Sequence, residues 1–125
     1  MPRVIHFELP ADDPERACRF YADVFGWTSH KWDGPADYWL LQTGEDDKPG
    51  INGGIMRTMS EFPARTPINA IDVPSVDEYA ARVEAAGGKI VVPKLTLPGI
   101  GYLAYGLDTE GVLFGIMQSD PTVTA

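Results

Sequence analysis

The sequence predicts an α+β fold in which one βαβββ module runs twice. Its strands form a curved eight-stranded mixed sheet around a concave cleft, with the helices on the outer face. Three observations carry this. The stretch 4–27, VIHFELPADDPERACRFYADVFGW, alternates like a strand, takes a helical period, then extends again. The stretch 67–91, PINAIDVPSVDEYAARVEAAGGKIV, repeats that order, and a shift of 62 residues lays Asp13 on Ser75, Gly26 on Gly88 and His6 on Ile68. A shift of 61 lays GIMR at 54–57 on GIMQ at 115–118. Two copies are too few for a solenoid, whose units need further neighbours to bury their faces. They fit a single domain over 1–125, with modules at about 3–57 and 67–119 and a linker at about 58–66.

Each element has a local reason. The run 4–9 is a strand that Pro10 stops. Asp13 then offers a carboxylate at the N-cap, Pro14 takes the first helical position, and Glu15 adds an acid to the first turn. Ala17, Phe20, Tyr21 and Val24 form the apolar stripe of this helix, which Gly26 ends. Strands follow at 28–31, 37–43 and 51–57, the last with glycines at 53 and 54 that mark a bulge or a close approach. The acidic loop 44–50 is a solvated tip. In the second copy, 68–73 is the strand, Ser75 and Glu78 are a capping box, and Val76, Tyr79, Ala80 and Val83 make the stripe. Gly87 and Gly88 supply positive φ at the helix end. Strands at 89–92, halted by Pro93, at 102–107 and at 112–118 complete the module, with a hairpin turn at 108–111 and a frayed tail at 120–125.

Composition narrows the partners. With 125 residues, 44% hydrophobic and 22% charged, the chain is an ordinary globular domain. Its formal net charge of −8 repels phosphate backbones, so no nucleic acid is expected, whereas cationic small molecules are tolerated or attracted. The lone Cys18 excludes an internal disulfide framework and reads as a small semi-buried hydrophobe. No apolar stretch nears the roughly twenty residues that span a bilayer, so no membrane is expected. The chain opens almost directly on its first strand, leaving no room for a signal sequence, and a cytoplasmic location is expected.

Period-two alternation puts Ile5, Phe7 and Leu9 under the first helix and Val4, His6 and Glu8 on the opposite, cleft-facing side. The same rule sends Asn52, Gly54 and Met56 to the cleft, then Ile68 and Ala70, then Leu113, Gly115 and Met117. This lining is mostly apolar, and its methionines are adaptable, which suits a small organic molecule. His6 and Glu8 lie about 7 Å apart along the strand and are the candidates for acid–base work. Trp27, Tyr38, Trp39, Tyr102 and Tyr105 invite a stacking cage, although aromatics on strands more commonly build core. Alternation sends one of Tyr38 and Trp39 to the cleft, and the sequence does not decide which. Arg57 should point away from it, to a rim or a dimer contact.

HFELPADDPERACRFYADVFGW, GGIMR, VPSVDEYAARVEAAGGKIV and DTEGVLFGIMQ together resemble the vicinal oxygen chelate superfamily of glyoxalases, bleomycin-resistance proteins, extradiol dioxygenases and related isomerases and thiol transferases. The resemblance runs from His6 to Gln118 and implies a bowl of two modules and a homodimer. In metal-dependent members a divalent ion takes one ligand from the first and the last strand of each module. Those places fall here on His6, Gly54, Ile68 and Gly115, of which only His6 can bind a metal. A catalytic site wants about three protein ligands, so the expectation is metal: none, with no cofactor.

The function this implies is binding or sequestration of a small apolar or cationic organic molecule without a metal. One alternative is a divalent-metal-dependent lyase, isomerase or dioxygenase of the glyoxalase type that uses His6. The other is a non-catalytic partner module with a vestigial cleft.

Overall fold

The computed structural model describes residues 2–124. The chain divides into two compact units, one holding His6–Pro67 and the other the residues before His6 and those from Ile68 onward. The first carries β1 (Val4–Ala11) from His6 onward, α1 (Pro14–Phe25), β2 (Thr28–Lys31), β3 (Tyr38–Gln42) and β4 (Gly53–Arg57). β1 lies parallel to β4, β4 antiparallel to β3, and β3 antiparallel to β2. The second carries β5 (Ile68–Asp72), α2 (Val76–Ala85), β6 (Lys89–Leu97), β7 (Gly101–Leu107) and β8 (Leu113–Ser119). β5 lies parallel to β8, β8 antiparallel to β7, and β7 antiparallel to β6. The second half therefore repeats the first strand for strand. The fold is α+β, and each half is a mixed sheet with a helix on one face.

The helix starts follow the caps. Asp13 accepts from the Arg16 N–H at 3.2 Å with Pro14 in the first turn, and Ser75 accepts from the Glu78 N–H at 3.1 Å. The Glu78 carboxylate, expected to reach back to the cap, accepts instead from Arg82 one turn on. Gly26 ends α1 at φ 73°. At the end of α2 only Gly87 takes a positive φ, 97°. Gly88 is small for another reason: a Cβ there would meet the Leu107 carbonyl oxygen at 2.6 Å.

The α1 stripe differs from the expected one. Pro14 and Cys18 are buried, with Ala17 and Tyr21 packed beside them, while Phe20 and Val24 are each 56% exposed. The sheet-facing line is thus 14, 17/18, 21, one step round the helix. Phe7, Leu9, Ala11, Trp39, Leu41 and Ile55 complete this core. Ile5, expected there, is 43% exposed. Under α2 three of the four expected stripe residues, Val76, Tyr79 and Ala80, pack with Val73, Ala104, Ile116, Ile71, Tyr102 and Phe114, while Val83 is half-buried beside Gly88.

Two prolines expected to stop strands lie inside them. Pro10 pairs with Met56 and Ala11 with Arg57 in the parallel ladder, so β1 runs two residues further than expected. Pro93 sits on β6, which pairs through β7 at register shifts between Ile90 and Val92 and between Val92 and Leu95. A bulge tolerates the missing N–H that a regular central strand would not. The tail is held as far as Val123. The Val123 carbonyl accepts from Gly99, and Asp120 accepts from both the N–H and hydroxyl of Thr122. Its last residue, 125, lies outside the described residues. The linker is likewise tied down, Thr58 and Arg65 both donating to Asp12 at 2.8 Å. The Arg65 and Thr58 hydrogen bonds hold the Asp12 carboxyl below its usual range.

Candidate functional site

Trp39, Leu41 and Ile55 belong to the α1 core, so alternation places Tyr38, Gly54 and Met56 on the helix-free face with His6 and Glu8. This decides the choice the sequence left open. Tyr38 pairs with Met56 across the strands, Leu40 with Gly54, and Glu8 with Gly54 on the other side. The Tyr38 ring leans diagonally over Gly54, where an added Cβ would fall on its hydroxyl and ring carbons. Its hydroxyl then meets His6 Nε2 at 2.6 Å, the two rings inclined by only 20°.

Burial pushes the His6 imidazole below its ordinary value of 6.5, because the charged form loses its water. A neutral ring can donate to or accept from the phenol according to its tautomer. Protons bind the unfolded imidazole at a pH where the folded one still refuses them. Stability from this ring is therefore intact above about pH 6.5 and falls as pH drops from there through the lower folded value. Urea titrations at stepped pH are expected to show that loss in the native protein and a flatter slope over that window in His6→Gln. An identical slope in both would contradict the burial of this ring.

Glu8, two residues on, is 3% exposed. Among the described residues no buried side-chain N or O lacks a hydrogen-bond partner, so its carboxylate is compensated. Asp37, which precedes Tyr38, accepts from Arg57 at 3.1 Å and pairs with Lys31 at 3.4 Å. The Arg57 hydrogen bond, then that of Lys31, holds the Asp37 carboxyl below its usual range. Both cations also stand over the Trp39 ring. Arg57 therefore lies on the α1 side.

The remaining candidates separate. Val4 is 41% exposed. Asn52 precedes β4 and is exposed, its side-chain oxygen accepting from the Thr43 N–H at 3.0 Å. Met56 is buried. In the second half Ile71 and Ile116 face α2, so Ile68, Ala70, Leu113, Gly115 and Met117 share the helix-free face. There Gly115 lies beneath Tyr105 and Leu103, which an added Cβ would meet at 3.4 and 3.5 Å. Sequence reasoning had not placed Leu103. Of the five aromatics proposed for a cage, Trp27 and Trp39 are in the α1 core and Tyr102 in the α2 core. Only Tyr38 and Tyr105 face the other way. A separate hollow of about 550 Å³ lies in the second half beside Asp72, Tyr79 and Gln118. Gln118 is engaged there, accepting from the Val76 N–H at 3.0 Å.

Residues 3–44 match the family described as bleomycin resistance protein-like N-terminal. A glyoxylase-like domain-containing protein of Didymella fabae is 34% identical over 118 residues, covering 83% of this chain and 84% of that one. The chain belongs to the glyoxylase-like family of the vicinal oxygen chelate superfamily. CFP32 of Mycobacterium bovis, whose name assigns it provisionally to the glyoxylases, is 28% identical over 117 residues; the chain spans 43% of its length. Among solved structures, methylmalonyl-CoA epimerase from Mycobacterium tuberculosis superposes with TM-score 0.66 at 17% identity, over 94% of this chain and 87% of that one. A hypothetical protein, BH1468, from Bacillus halodurans superposes with TM-score 0.68 at 15% identity, over 99% of each chain. These likenesses show the fold.

In this glyoxylase-like chain the four positions to which the resemblance assigns metal ligands, His6, Gly54, Ile68 and Gly115, carry side chains that do not fit a divalent ion. His6 Nε2 is engaged by Tyr38, the Tyr38 ring covers Gly54, Ile68 is apolar and 0% exposed, and Gly115 offers no donor. Among the described residues no three or more His, Cys, Asp or Glu side chains gather where they could hold one. Nor is any helix among them long and apolar enough to cross a membrane.

Proposed function

We propose that this glyoxylase-like protein binds a small apolar or cationic organic molecule without a metal ion. The observation that carries the reading is Tyr38. Its ring rests on Gly54, a position to which the resemblance assigns a metal ligand, and its hydroxyl meets His6. Around it the first half offers Met56 and buried Glu8 on the same face. The helix-free face of the second half, taken by itself, is apolar along Ile68, Ala70, Leu113, Gly115 and Met117. A face of either kind draws binding energy from apolar burial, and a few polar groups orient the ligand. The net charge of −8 favours a cation over an anion.

A thermal-shift screen of apolar and cationic organic compounds, run in excess EDTA, tests this. At least one compound class is expected to raise the midpoint by several degrees, with the same shift when EDTA is replaced by zinc or manganese. Stabilisation that appears only with added metal would restore a metal-dependent lyase, isomerase or dioxygenase. Stabilisation by none of the compounds would favour a partner module with a vestigial binding face.

A further inference from the structure

The arrangement around Tyr38 describes a ligand as well as a residue. A flat ring lies on a strand backbone stripped of its side chain, and its hydroxyl ends on the nitrogen of a half-buried histidine. With Tyr38 seated, a Cβ at 54 would enter the ring's volume. We infer that His6 Nε2 and the bare backbone of Gly54 form a site for a phenolic ring, filled in this structure by Tyr38. A small hydroxyaryl molecule takes the same place when Tyr38 turns outward. This rests on the reading that the protein binds an organic molecule, and it names the ligand class.

The geometry supports an exchangeable occupant. Tyr38 is the first residue of β3, preceded by the irregular loop 32–37, and it is half-buried, whereas Trp39 beside it is 7% exposed in the core. Turning the phenol outward leaves that core intact. A neutral imidazole takes a phenol in either hydrogen-bonding sense, and simple phenols remain protonated at neutral pH. The hydroxyl supplies selectivity: a net hydrogen bond is worth roughly a two- to tenfold preference over the same ring without it.

The probes are p-cresol, which reproduces the tyrosine side chain, and toluene, which lacks only the hydroxyl. Imidazole resonances of His6 are followed by NMR in EDTA, with exposed His30 on β2 as the internal control. In the native protein p-cresol is expected to shift His6 saturably at millimolar concentration, together with the Tyr38 ring signals, and toluene to do so about tenfold more weakly. Tyr38→Ala, which removes the competing ring, should bind p-cresol at least tenfold tighter and be thermally stabilised by it. Equal responses to the two probes would overturn the inference. So would a His6 signal that moves only in Tyr38→Ala, since the niche would then be closed in the native chain. The native protein alone decides the matter if that variant fails to fold. If p-cresol is silent while another organic compound binds, the phenolic site falls and organic binding stands; if every compound is silent, both fall.

Discussion

Gly101→Ala is expected to destabilise the protein by about 3 kcal/mol or more, the largest effect expected of any glycine-to-alanine change among the described residues. Gly101 opens β7 at φ 146°, a conformation L side chains rarely adopt. An added Cβ would run into the Gln118 carbonyl oxygen and lie 2.8 Å from the Asp120 amide nitrogen. Both are backbone, fixed by the pairing of Gly101 with Ser119 on one side and Leu97 on the other. No rotamer change relieves them, so the β7–β8 ladder must shift. For a domain of this size the loss corresponds to a fall of roughly 10 °C in midpoint, measurable by calorimetry. A change within 2 °C would contradict the backbone geometry at this corner.

Gly54→Ala is expected to destabilise by about 1–3 kcal/mol for a different reason. Here the Cβ meets the far end of a side chain, the Tyr38 ring and hydroxyl, which can rotate away. Relief breaks the 2.6 Å contact with His6. The two sites should therefore be coupled. In a Tyr38→Ala background the same substitution should be neutral, because alanine then fills empty space and suits a strand better than glycine. A double-mutant cycle is expected to give a coupling of about 1–3 kcal/mol, the whole cost of the single change. Additive effects would mean that Tyr38 does not rest on Gly54.

The duplicated module was legible because it rests on chemistry that survives sequence change. Asp13 with Pro14, and Ser75, announce helix starts by satisfying orphan N–H groups, and both caps stand as expected. Gly111 takes its positive φ in the β7–β8 turn. The helix-free face could be assigned wherever polar residues anchored the alternation, as His6 and Glu8 do on β1. In YWLLQ nothing polar breaks the apolar run until Gln42, so Tyr38 and Trp39 were equivalent on paper. Only the pairing of Trp39 with Ile55 on β4 assigns them. Phe20 and Val24 misled for a related reason. Helical spacing fits two adjacent stripes on α1, and the choice of 14, 17/18 and 21 is made by the sheet beneath. Pro10 and Pro93 read as stops because a sequence does not announce a bulge or the ladder position of a missing N–H. That positions 54, 68 and 115 carry no metal-binding side chain was visible in the residues themselves. That the Tyr38 ring covers Gly54 was not, because it reaches there diagonally from another strand.

The decisive measurement is a calorimetric titration of zinc, nickel and manganese into chelator-washed protein, with the His6 imidazole followed by NMR. With Tyr38 seated between His6 and Gly54, none of the three ions should bind stoichiometrically at micromolar concentration, and the Nε2 resonance should stay in place. One equivalent of tightly held ion that shifts His6 Nε2 would show that the imidazole leaves the phenol for a metal, contradicting the assignment of Tyr38.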